Sequence, residues 1–138
     1  MNKMSCYNTG CQSNQKWFIG NDIRNILLAD SGVSEQVGNH IYPIVAAEGT
    51  DGDFIVYSRQ KYAKSSTKMG VYQDECQVAV VGISDNYDDA IALASKIDNA
   101  LTGNQIIGDG IKVKLDLIDS METYDDNKYI ETLLFEIK

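Results

Sequence analysis

Gly38-Asn39-His40-Ile41-Tyr42-Pro43-Ile44-Val45-Ala46, continued by Glu48-Gly49-Thr50-Asp51-Gly52-Asp53 and then Phe54-Ile55-Val56-Tyr57, is the stretch on which the architecture turns. It holds the only proline of the chain. Proline fixes its own φ, supplies no N–H and pushes the preceding residue out of the helical region. Tyr42 is therefore expected to be extended. The Gly/Asp cluster after it predicts a turn, and the β-branched and aromatic run from Phe54 to Lys61 predicts a strand.

Upstream, Ile19, Ile23, Ile26 and Leu27 recur at helical spacing and form one apolar stripe. The pattern predicts a helix from about Gln15 to Asp30, with Asn14 as N-cap and Gly32 as the stop. Residues 1–14 are polar and without periodicity, and are expected to be a flexible tail before a single domain over 15–138. Downstream, Lys61 to Gly70 is polar and reads as the mobile arm of a long hairpin. Its second strand is expected over about Val71 to Ile83. Cys76, Val78 and Val80 share one face of that strand.

Ser84, Asp85 and Asn86 all offer N-caps for a helix, with Asp88 and Asp89 in its first turn. Tyr87, Ala90, Ile91, Ala94, Ile97 and Leu101 mark its expected buried face, with Gly103 closing it. Gly108-Asp109-Gly110 reads as a turn. Ile111 to Leu117 alternates strictly and predicts a strand; Asp119 to Asn127 reads as a polar connection. Tyr129, Leu133, Phe135 and Ile137 define the core face of a last strand. The fold class is α+β: a largely antiparallel sheet of three to four strands packed against two helices, with a long β-hairpin arm.

The chain has 138 residues, 20 acids against 12 bases and a formal net charge of −8. That length buries a core without disulfides or metals. The acidic balance argues against a dedicated nucleic-acid binder. The N-terminus lacks the apolar stretch of a signal peptide, and no run approaches the ~20 apolar residues that span a bilayer, so synthesis in the cytosol is expected. Charge is unevenly placed. Arg59, Lys61, Lys64 and Lys68 form a basic run, whereas Asp74 to Asp126 holds twelve acids. A basic arm on an acidic body suits self-association. Tyr57, Tyr62 and Tyr72 flank the basic run, and tyrosine is enriched at interfaces. The candidate subunit interface is thus Tyr57, Arg59, Lys61, Tyr62, Lys64, Lys68 and Tyr72.

Chemistry has few candidates. His40 is the only histidine, and no Gly-x-Ser-x-Gly elbow or P-loop occurs. Cys6, Cys11, Cys76 and His40 formally make a zinc donor set, but their spacing fits no zinc pattern. Asp85, Asp88 and Asp89 lack the closing Glu of a calcium loop and read as helix capping. The acids at 116, 119, 122, 125 and 126 read as a solvated surface. No enzymatic activity, cofactor or metal is expected.

Three blocks in this order resemble the tail-completion (tail-terminator) proteins of long-tailed bacteriophages. The first is Gly38 to Pro43 with Phe54 to Tyr57. The second is Val78-Ala79-Val80-Val81-Gly82-Ile83, leading into Tyr87 to Ala94 and ending at Gly103. The third is Glu122 to Asp126 followed by Tyr129 to Ile137. The polar tail with its two cysteines departs from the usual pattern. The resemblance implies a non-enzymatic homohexameric ring that terminates the tail tube and meets the head connector protein. Its implied partners are further copies of itself, the tail tube protein and the connector, with no specific nucleic acid and no membrane. It implies assembly in the host cytoplasm and then residence in the virion tail. The alternative from another class is a small α+β ligand-binding or regulatory module, whose mark would be a pocket with convergent polar groups.

Overall fold

Alternation and helical periodicity meet on one face of a six-stranded sheet. A computed structural model of the chain describes residues 15–138 except 48, 67–71 and 109; for 15, 64–66 and 72–74 it describes the backbone alone. The expected tail over 1–14, with Cys6 and Cys11, lies outside the described residues. A 3-10 turn at Gln15–Phe18 leads into α1 (Ile19–Ala29), α2 (Ser31–Val37), β1 (Ile41–Pro43), β2 (Phe54–Ser66) and β3 (Tyr72–Ser84). Then follow α3 (Tyr87–Leu101), β4 (Gly103–Ile107), β5 (Ile111–Asp125) and β6 (Lys128–Ile137). The sheet order is β1-β2-β3-β6-β5-β4. Only β1 runs parallel to its neighbour; the other pairings are antiparallel.

The core lies between the helices and one sheet face. Ile55 and Tyr57 of β2, Val78 and Val80 of β3, Leu133 and Phe135 of β6, and Leu115 of β5 point into it. Against them pack Ile19, Ile23 and Leu27 of α1, Val33 and Val37 of α2, and Leu93, Ile97 and Leu101 of α3. Cys76 is a buried member of this cluster, as its place in the alternation predicts. The other face carries cross-strand rows such as Val56–Val81–Thr132–Met121. Among the described residues no helix covers it.

Four expectations need correction. The sheet has six strands, not three or four. The strand without a counterpart in the sequence pattern is β4, which follows α3 directly. Gln105 of β4 donates its side-chain amide to the carbonyls of Ala100 and Leu101, at 2.9 and 3.1 Å. The strand thereby satisfies carbonyl groups that the helix end leaves unpaired.

The second correction concerns the connection over Asp119 to Asn127, which is strand as far as Asp125. Asp126 and Asn127 have φ of 54° and 63°. Two successive positive φ values are what a two-residue type I′ hairpin turn requires, and Asp and Asn tolerate them. In the third, the first helix ends at Ala29, next to the expected Asp30, but Gly32 is not its stop and lies inside α2. Asp30 adopts extended backbone and its carboxylate accepts from the Val33 N–H at 3.0 Å, so it caps a second helix. Gly38, at φ 62°, ends that one.

The fourth is the face of α3. Ala90, Leu93, Ile97 and Leu101 are buried, while Ile91 is 40% exposed and Tyr87 also faces solvent. Gly82 explains the rotation. A Cβ there would lie 3.1 Å from the Leu93 side chain, so the bare backbone of β3 receives Leu93. The helix turns toward that groove, and Ile91 moves off it.

Candidate interaction surface

The arm is continuous strand rather than a polar loop as far as Ser66, where β2 pairs with Tyr72 of β3. Its register shifts between Arg59 and Lys61, a bulge that re-aims the basic side chains. Arg59 lies over the Trp17 ring, its guanidinium carbon 4.5 Å from the centroid, and donates to the Trp17 carbonyl at 3.0 Å. The Trp17 ring meets Tyr62 edge-on at 5.3 Å. The 3-10 turn thus sets the Trp17 ring against a cation and a tyrosine at the base of the arm. Lys61 is bridged to Glu75 on β3 at 3.1 Å. The register also sets Lys64 opposite Asp74. One cation of the basic run, Lys61, therefore meets an acid across the hairpin.

Of the seven candidate interface residues, Tyr57 belongs to the core, being 5% exposed beneath Gly20. Arg59 and Lys61 are exposed and Tyr62 is half-buried. Lys64 and Tyr72 are placed as β2 and β3 backbone only, and Lys68 lies outside the described residues.

A second surface was missed by sequence reasoning, which dissolved it into a polar loop. At the far end of the sheet, β5 and β6 set Glu122 directly opposite Glu131. Glu131 is buried, and burial together with the facing Glu122 carboxylate pushes its pKa up to about 7. Tyr87 donates its hydroxyl to Glu122 at 3.1 Å, and that hydrogen bond and the carboxylate's charge raise the Tyr87 pKa. Tyr129 packs between the Tyr87 and Tyr124 rings, with centroids 5.5 and 4.8 Å away. Lys128 is bridged to Asp85 at 2.7 Å, and this hydrogen bond to a carboxylate raises its pKa. Beside the acids, Met121 and Tyr124 are each 58% exposed, and Leu117 and Ile118 also face solvent. The signal that could have revealed this strand was the Asp126-Asn127 pair, a hairpin dipeptide between two β-prone runs.

Buried polar groups outside these surfaces are tied into structure. Ser84 donates to Asp53 at 2.6 Å, and Gln36 of α2 donates to the other oxygen of that carboxylate at 2.6 Å. Asp22 accepts from the Gly108 N–H at 3.2 Å, which fastens α1 to the β4–β5 turn; burial raises its pKa and that hydrogen bond opposes the rise. His40 is exposed and stacked on Tyr42 at 6.2 Å. Among the described residues no three His, Cys, Asp or Glu side chains gather as a metal site. No described helix is long and apolar enough to cross a membrane. An open groove of about 590 Å³ runs beside β4, lined by Asn104, Gln105, Ile106, Lys112, Lys114 and others. Lys114 and Lys138 there are turned to Asp116, at 3.9 and 3.4 Å.

No protein-family model matches the chain, and a comparison with curated proteins finds no match either. Among solved structures, a chain from the virion of a native gene transfer agent particle is similar, with a TM-score of 0.71. The two are 20% identical, and the match covers 86% of this chain and 92% of that one. At this identity the likeness shows a shared fold over nearly the whole of both chains.

Proposed function

We propose that this chain is a structural component of a phage-like particle, and within that class a tail-completion protein that caps the tail tube as a ring and meets the head connector. The observation that carries the reading is the near end-to-end fold match with a chain of a gene transfer agent virion. The ordered resemblance of three sequence blocks to tail-completion proteins supports the finer role. The surface supports it too: its exposed features include a strand arm with cations and a strand edge with acids and apolar side chains. Both suit protein contacts better than catalysis. A ring needs heterologous contacts that close, and a strand with cations on one side of a subunit and a strand with acids on the other suit them. An acidic lumen in such a ring repels DNA and lets it slide.

On this reading the chain works without catalysis or cofactor, assembles in the host cytoplasm and ends in the virion tail. The arm, through Arg59, Lys61, Tyr62, Lys64, Lys68 and Tyr72, packs on a neighbouring subunit or on the tube. The test changes Lys61, Lys64 and Lys68 together to glutamate and examines tails by electron microscopy. Tails of irregular length that do not join heads are expected. Uniform, head-joined tails containing the altered protein remove the arm from the mechanism. Particles that assemble normally with the whole gene deleted remove the function.

A further inference from the structure

The sheet has two long strands whose outer sides are only partly paired. β2 meets β1 over residues 55–57 alone, and β5 meets β4 over 111–115 alone. Beyond those limits, among the described residues, no strand pairs with the outer side of β2 over 58–66 or of β5 over 116–125. An unpaired edge is a template for another strand, and exposed apolar residues along it strengthen the attraction. Ile118, Met121 and Tyr124 lie along the β5 edge.

The two edges complement each other. Residues 58–66 hold Arg59, Lys61 and Lys64 and no acid, while residues 116–125 hold Asp116, Asp119, Glu122 and Asp125 and no base. They also sit on opposite sides of one sheet. β2 is antiparallel to β3, β3 to β6 and β6 to β5, so β2 and β5 run in opposite directions. Two copies related by the rotation of a ring therefore bring β5 of one beside β2 of the next in antiparallel sense, without any inversion. That sense gives the better hydrogen-bond ladder. We propose that the β5 edge over residues 116–125 receives the β2 arm of a second copy of this chain, so that the sheet continues from subunit to subunit. The inference rests on the ring reading above and names the acceptor of the arm within it.

Registers place Ala63 on the face of β2 turned away from the helices, and Asp119, Met121 and Thr123 on the same face of β5. The test uses the full chain with Cys6→Ser and Cys11→Ser, retaining the buried Cys76. One preparation carries Ala63→Cys; the others carry Asp119→Cys, Met121→Cys or Thr123→Cys. Mixtures are oxidised as concentrated protein and, separately, within assembled tails. A disulfide-linked mixed dimer at one of the three positions is expected, well above the yield from Glu35→Cys on α2. A chain with both cysteines should give a ladder ending at the ring size. Absence of the mixed dimer from both samples overturns the inference, as does cross-linking of Ala63→Cys to the tube protein instead. Normal capping by an Asp119→Lys, Asp125→Lys variant also overturns it, and leaves the tail-completion reading intact. Cross-linked ladders from a protein that caps no tails sink that reading and leave the edge pairing standing.

Discussion

The β2–β3 and β5–β6 hairpins are alike in length and opposite in how they handle charge. The first sets its cations against partners: Arg59 on Trp17 and Lys61 on Glu75. The second sets Glu122 against Glu131, and the only base across its tip, Lys128, is drawn to Asp85 on the α3 side. One hairpin relieves its charge by pairing; the other relieves it by holding a proton. Two carboxylates facing each other in a partly dry site cannot both ionise cheaply, so one keeps its proton toward neutral pH. The contrast separates a rim whose strength follows salt from a rim whose strength follows pH.

Both hairpins share one root, and the largest expected effect tests that. Phe135 of β6 lies fully buried among residues of both. Phe135→Ala should cost about 3–5 kcal/mol, read as a shift of the urea midpoint. Hydrogen exchange should then rise in β2–β3 and β5–β6 together. Loosening of one hairpin alone would break the comparison at its base.

Gly82→Ala is next. The new Cβ would sit 3.1 Å from Leu93, which must give way. Overpacking of this kind costs about 1–3 kcal/mol, measured again by urea unfolding. An unchanged midpoint would mean that α3 slides freely and that Gly82 does not set its rotation.

The pH contrast sharpens at Glu131. Its folded pKa, about 7, lies above the ordinary value of 4.5. The native state therefore holds a proton that the unfolded chain has lost between those values. This group's destabilising effect is absent below about pH 4.5, grows between the two values and is complete above the folded pKa near 7. Glu131→Gln should raise the thermal midpoint by a few degrees at pH 7.5. The gain should vanish toward pH 4.5. A parallel offset at both pH values would show that packing, not protonation, distinguishes this hairpin.

The smallest effect belongs to the arm. Lys61 and Glu75 are exposed, and such pairs contribute roughly 0–1 kcal/mol. Lys61→Ala should leave monomer stability almost unchanged while any assembly contact becomes less salt-sensitive. A large loss of monomer stability would mean that the arm's charges are there to fold it, not to meet a partner.

Much of this was legible from local chemistry. The Tyr-Pro strand, the Cys76–Val78–Val80 alternation, a helix cap among residues 84–86 and the β6 core face follow from rules acting over a few residues. Asn86 accepts from the Asp89 N–H at 3.2 Å, and the acids behind it fill the first turn of α3 as helix capping requires. The failures are where a remote group decides. Asp30 ends α1 as expected and also starts α2, and that second role depends on α2 finding a core for Val33 and Val37. Residues 103–107 become strand because β5 is there to pair with them and α3 needs its last carbonyls satisfied.

The candidate surface divides the same way. By itself the sequence determined that cations cluster at 59–68 and acids at 116–126, because charge is a property of residue type. Only the tertiary structure decided that Tyr57 is core, that Glu122 faces Glu131, and that the basic and acidic strands lie on opposite sides of one sheet. Strand order and register are set by which faces can be buried together. No residue carries that information alone, because it is a relation between elements tens of positions apart.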